Sequence, residues 1–203
     1  MNQHTPATDT DPDATGVVDE LLRRNRDYVT NTFTGYGPIA PALRTIVVGC
    51  VDPRVDPAHI LGLNNNDAVV IRNVAGRITP TFFQQMFMLR LVAQADGDAP
   101  GPGWNFIVLH HTDCGITRLG DHPDLLAGYF GVTADHLDDQ HPMDPYQAVL
   151  DDIETLRANP FFPAEFTVTG LVYDVHTGLT QLVAPPARLR PSAAPAELSA
   201  ERG

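Results

Sequence analysis

Cys50 and Cys114 are the only two thiols in this chain of 203 residues, and each stands at the end of a short apolar run. Cys50 closes Thr45-Ile46-Val47-Val48-Gly49, and Cys114 follows Asn105-Phe106-Ile107-Val108-Leu109 through His110-His111-Thr112-Asp113. His111 and Cys114 are three residues apart, close enough to meet on one turn. Thiolate and neutral imidazole are preferred ligands of tetrahedral zinc, and three protein ligands leave a fourth position for water or substrate. Zn2+ held by Cys50, His111 and Cys114 would lower the pKa of a bound water. Two anionic sulfurs make that less effective than an all-histidine site, so a neighbour must help. Asp52 and Arg54, in Cys50-Val51-Asp52-Pro53-Arg54, stand closest in sequence. Asp52 has two readings. It can be a fourth ligand that closes the site, or it can be held bidentately by Arg54 and orient a zinc-bound water. Without a metal, the two cysteines read as buried small hydrophobes or as a redox pair.

These residues need a scaffold that brings positions 50 and 114 together. Apolar, β-branched runs at 44–49, 67–71, 105–109 and 166–175 read as strands, with a further one at 179–183. Helical patterns at 21–30, 79–94, 123–129 and 145–157 lie between them. This alternation predicts an α/β fold. Its mostly parallel central sheet has about four parallel strands and one antiparallel edge strand, flanked by helices, with an N-terminal helical arm. Ligands in such sheets collect at the carboxyl ends of the strands, where both cysteines fall. Phe82, Phe83, Met86 and Phe87 spread over more than one face of their helix, which suggests core on one side and a subunit interface on the other. Residues 1–15 and 185–203 read as disordered, around a single domain at 16–184.

The net charge of -12, from 25 acidic and 13 basic residues, opposes binding to a phosphate backbone. No apolar run approaches the roughly 20 residues of a membrane helix, and the start of the chain lacks the layout of a signal peptide. The reading is a cytoplasmic protein acting on a small neutral substrate, with no nucleic-acid or membrane partner.

Three motifs in order carry a resemblance: Cys50-x-Asp52-x-Arg54, then Arg72-Asn73-Val74-Ala75-Gly76, then His111-Thr112-Asp113-Cys114-Gly115. Together they resemble the β-class carbonic anhydrases, over about residues 21–183. The resemblance implies reversible hydration of carbon dioxide to bicarbonate by zinc-bound hydroxide. Cys50, His111 and Cys114 would be the ligands, Asp52 and Arg54 the catalytic dyad, and Asp52 a ligand in a closed form of the site. It also implies a homodimer or a dimer of dimers. Relatives of this architecture that hydrolyse carbonyl sulfide or carbon disulfide supply an alternative. A non-catalytic zinc or thiol redox sensor is the alternative from another class. Pro53, Val74-Ala75 in place of a commoner Ala-Gly, and Arg77 depart from the usual pattern, so substrate is less fixed than metal. Arg72 and Asn73 are expected to brace the loop beside the site.

Overall fold

The β-branched runs pair into one five-stranded sheet of order β2-β1-β3-β4-β5. Its strands are β1 (Thr45–Cys50), β2 (Ala68–Asn73), β3 (Asn105–His111), β4 (Thr167–Tyr173) and β5 (Thr180–Arg188). β2, β1, β3 and β4 run parallel and β5 is antiparallel, as the sequence predicts. All six residues of β1 are buried, the pattern of a central strand covered on both faces. The computed structural model describes residues 12–35, 37–98 and 100–190.

Helices join the strands: α2 (Pro57–Ile60), α3 (Pro80–Ala95), α4 (Pro123–Phe130) and α5 (Pro145–Ala158). Three of these starts follow a shared rule: at α2, Asp56, just ahead of Pro57, accepts from the Ala58 N–H. Thr79 accepts from the Phe82 N–H and Asp144 from the Tyr146 N–H, and each cap is followed by a proline whose missing N–H costs nothing there. Phe82 and Met86, one helical turn apart, face inward from α3. Phe82 packs edge-to-face on Phe106, which does the same on Phe162, with centroids 5.8 and 5.2 Å apart. The other side of α3 is open in the chain: Phe87, Met88, Leu91 and Val92 are all exposed, Phe87 to 61%.

The described residues divide into two units, one ending at Gly37 and one beginning at Pro38. The first holds α1 (Pro12–Asn31), longer than the stretch from Leu21 that the sequence suggested. Val17, Val18, Leu21, Leu22 and Val29 recur at helical spacing, and Arg23 pairs with Glu20 and Asp27 along the surface. A low mean hydropathy had hidden that stripe.

Both expected boundaries of disorder therefore fall inside elements. α1 begins at Pro12, before residue 15, and β5 continues past residue 185 to Arg188, with Leu189 buried beyond it. Pro185 and Pro186 open the segment that the sequence assigned to disorder. They instead sit at an irregularity in the β4–β5 ladder, between the pairs Gly170–Ala184 and Val168–Ala187. An edge strand tolerates proline at such a bulge, because no second neighbour needs the missing N–H. The remainder of both segments lies outside the described residues.

Candidate metal centre

Parallel register brings the site together. Cys50 is the last residue of β1 and pairs in register with Asn73, and Gly49 pairs with Leu109 of the adjoining β3, which runs on to His111. After His111 the chain turns through Asp113, whose φ is 50°, and delivers Cys114 back beside Cys50. The two Sγ atoms lie 3.8 Å apart. All three ligand atoms of Cys50, His111 and Cys114 fall within 4.8 Å of one another, the one such cluster among the described residues. Tetrahedral bonds of about 2.3 Å to a shared zinc would place two sulfurs about 3.8 Å apart, so the pair already has metal-binding spacing.

The histidine is oriented for the same purpose. His111 Nδ1 lies 2.9 Å from the Thr112 carbonyl, to which it donates, leaving the lone pair on Nε2. That Nε2 is buried and is the single such side-chain nitrogen or oxygen without a partner among the described residues. A buried polar atom left unmatched is costly, and a metal would satisfy it. Of the two thiols, Cys50 alone is primed as well. Cys50 is pulled well below the usual thiol range by the hydrogen bond with Cys114, and further by His111 and by the Asp52 N–H at 3.4 Å. Cys114 is pushed up, since it holds the shared proton.

Asp52 caps the short 3-10 turn Pro53–Val55, accepting from the Arg54 N–H at 2.9 Å. The Arg54 side chain folds back on the same carboxylate, with Nε 3.0 Å from Oδ1 and an Nη 2.7 Å from Oδ2. Pro53 fixes the backbone between them and suits the first position of that turn. The guanidinium holds the Asp52 carboxyl down to about 2. A depressed pKa of this kind contributes stability above the ordinary carboxylate range near 3.9, and the contribution is lost as pH falls through about 2.

Arg54 also reaches across the site. One Nη lies 2.9 Å from an Asp113 carboxylate oxygen and the other 2.9 Å from the Asp113 carbonyl. Arg118 adds a longer contact to the same carboxylate, at 3.3 Å. Asp113 thus ties the turn after Cys50 to the turn before Cys114. A signal was available: a guanidinium has five donors, more than one carboxylate can take.

The second motif supports the first. Arg72 donates to the carbonyls of Cys50 and Asp52, at 2.9 and 2.8 Å, and pairs with Asp56 at 2.6 Å. Asn73 bonds Arg77 in both directions, amide to carbonyl and N–H to amide oxygen. Between them the chain makes a tight turn with Ala75 at φ 65° and Gly76 at φ 70°. A side chain at Gly76 would meet the Cys50 nitrogen at 2.9 Å. Gly76→Ala is therefore expected to lower stability by about 2–3 kcal/mol, read by thermal melting, because the obstacle is backbone and the conformation is left-handed. Ala75 adopts that conformation without being glycine, a local cost of about 1 kcal/mol that the packing of its methyl beside Cys50 and Cys114 must offset. Arg77 turns inward, to Asp152 rather than to solvent.

A cavity of about 50 Å3 adjoins the ligands, lined by Ala75, His111, Cys114 and Ile116 among others. A larger apolar cleft, about 870 Å3, lies between α3 and the loop around Phe161 and touches no ligand residue.

A parallel sheet whose strand ends bring together two thiols and an imidazole, with a carboxylate–guanidinium pair alongside, has the makings of an α/β metalloenzyme. A family model described as carbonic anhydrase matches residues 45–180. The chain belongs to the β-carbonic anhydrase family. It is 28% identical over 172 residues to β-carbonic anhydrase 1 of Mycobacterium tuberculosis, covering 83% of this chain and 99% of that protein. It is 27% identical over 185 residues to a carbon disulfide hydrolase of Acidianus sp. (strain A1-3), covering 79% of this chain and 85% of that one. Among solved structures it resembles a carbonic anhydrase from Streptococcus mutans, with a TM-score of 0.62, 30% identity, and 82% and 96% of the two chains covered.

Proposed function

We propose that this protein is a zinc enzyme that reversibly hydrates carbon dioxide to bicarbonate. The observation that carries the reading is the unpartnered His111 Nε2 grouped with the Cys50 and Cys114 sulfurs, with an ionised Asp52 next to them. Zinc bound there would make hydroxide available from water at neutral pH. Asp52 lies outside the cluster of ligand atoms and both its oxygens are engaged by Arg54, which favours the orienting role over that of a fourth ligand. Its carboxylate accepts the hydrogen of the attacking oxygen and so aims the lone pair at the substrate carbon. Arg54 keeps that carboxylate ionised and fixed, and Asp113 holds Arg54. One water is added, bicarbonate leaves, and the proton released passes to buffer. The small cavity beside His111 and Cys114 has room for a substrate of only a few atoms.

A second reading has a specific support: a relative of comparable identity is a carbon disulfide hydrolase. Carbon disulfide and carbonyl sulfide are also small, linear and neutral, and the same attack would release hydrogen sulfide. Side-by-side assays of the purified chain, for carbon dioxide hydration and for sulfide release, decide between them. Hydration is expected to dominate. Sulfide release with negligible hydration would transfer the assignment to the second reading, and neither activity in zinc-loaded protein would leave the sensor. The sensor reading explains the paired thiols but has no use for the Asp52–Arg54–Asp113 chain.

We further infer a homo-oligomer, a dimer or dimer of dimers, because the exposed apolar side of α3 exceeds what an isolated surface needs. The strong negative charge still argues against nucleic acid. No helix among the described residues is long and apolar enough to cross a membrane. Thiol ligands persist best in a reducing compartment, which supports a place in the cytoplasm.

A further inference from the structure

Three buried ionisable side chains near the ligands have no part in the chemistry just described. Asp152, on α5, is 1% exposed, and Arg77 and His110 are 3% exposed each. The Asp152 carboxylate takes Arg77 Nε on both oxygens, at 3.1 and 3.0 Å, and His110 Nε2 at 2.9 Å. Arg77 is completed by the Gln140 carbonyl at 2.9 Å and by the Phe130 ring, 4.8 Å from its guanidinium carbon. Such a cluster is a poor source of stability, since well-packed apolar side chains usually serve as well or better. Its value must lie in where it holds its members.

Both partners of Asp152 belong to segments that define the metal centre. Arg77 ends the turn from Asn73, bonded to Asn73 at both ends, and that turn is packed so tightly on β1 that Gly76 has no room for a side chain over the Cys50 nitrogen. His110 immediately precedes the ligand His111, on the same strand. Arg77 and His110 line the cavity of about 50 Å3 that His111 and Cys114 also line. A single carboxylate on α5 therefore fastens two otherwise separate pieces: the turn behind Cys50 and the strand end before His111.

We propose that Asp152 is a positioning residue for the metal centre, setting the placement of Cys50 through Arg77 and of His111 through His110. The inference rests on the zinc reading given above. Supporting groups of this kind typically change metal affinity about 10- to 100-fold when removed.

The test is zinc affinity, by competition with a chromophoric chelator, with kcat and KM for hydration, on the full chain shown to be folded by circular dichroism. Asp152→Asn is expected to weaken zinc binding at least about tenfold and to lower kcat with little change in KM. His110→Phe keeps a ring but loses the donor, and is expected to shift both quantities the same way. His110→Gln restores a donor and should recover most of the loss. Wild-type affinity and kcat in folded Asp152→Asn, with only the melting temperature lowered, would overturn the proposal. If Asp152→Asn does not fold, His110→Phe decides, since it leaves the Arg77–Asp152 pair in place, and wild-type values there overturn it equally. Equal losses in His110→Phe and His110→Gln would also overturn it, because the bond to Asp152 would not be the cause. The unsubstituted chain separates the two levels of inference. No zinc binding there defeats the metal centre itself, whereas wild-type binding matched by the folded variants defeats the role of Asp152 alone.

Discussion

His111→Ala is expected to remove metal and activity together. The substitution deletes the single nitrogen of the proposed ligand set and would leave two sulfurs 3.8 Å apart with two positions to fill from solvent. Zinc content after gel filtration should fall from about one per chain to near zero, and hydration should fall at least about a thousandfold, some 4 kcal/mol in barrier height. Cys50→Ser should behave alike, because a hydroxyl is a weak ligand at neutral pH. The folded chain itself should survive. His111 sits at the end of a strand rather than in the aromatic core around Phe106, and its Nε2 has no protein partner to lose. A His111→Ala protein that keeps its zinc and its rate would remove the basis of the proposed function.

Asp52→Asn should separate what His111→Ala joins. The carboxylate lies outside the ligand cluster, so zinc content is expected to stay near wild type while hydration falls roughly a hundredfold. Asparagine can still accept from Arg54, but it has lost the charge that makes Asp52 a strong acceptor. Its amide can present a donor where an acceptor is needed. The pH profile gives an independent check. With Arg54 in place the Asp52 carboxyl is held down to about 2, so it is ionised at both pH 4.5 and pH 8. Arg54→Leu releases it toward the ordinary value near 3.9, so the variant should lose proportionally more rate at pH 4.5 than at pH 8 relative to wild type. Loss of zinc in Asp52→Asn would instead assign the carboxylate to the metal.

The sequence carried the ligands plainly because they are rare residues at strand ends, and strand ends of a parallel sheet are neighbours by construction. Cys50, His111 and Cys114 meet in the structure, with Asp52 and Arg54 as a pair beside them. The bracing by Arg72 and Asn73 was visible for a similar reason, because their motif ends a strand that pairs in register with the one carrying Cys50. Asp113 and Asp152 were not. Each acts on a partner 59 residues away or more, or on one reached only across a helix–sheet packing, and neither residue type is unusual in its segment. The extra turns of α1 and β5 were hidden by composition. Polar residues masked a helical stripe, and two prolines masked a strand whose outer edge has no neighbour to demand their N–H.

Sixty-four residues separate Cys50 from Cys114, while His111 and Cys114 are near neighbours in the chain. An unfolded chain can therefore offer a metal only the His111–Cys114 pair without closing a long loop, whose entropic cost grows with its length. The full set of three exists only once β1 and β3 have paired. Metal affinity is then part of folding free energy, and a free zinc concentration a hundred times the dissociation constant would add about 2.7 kcal/mol to the stability of the native state. Bound to this chain, the ion would report, by its own retention, that the central strands have found their register.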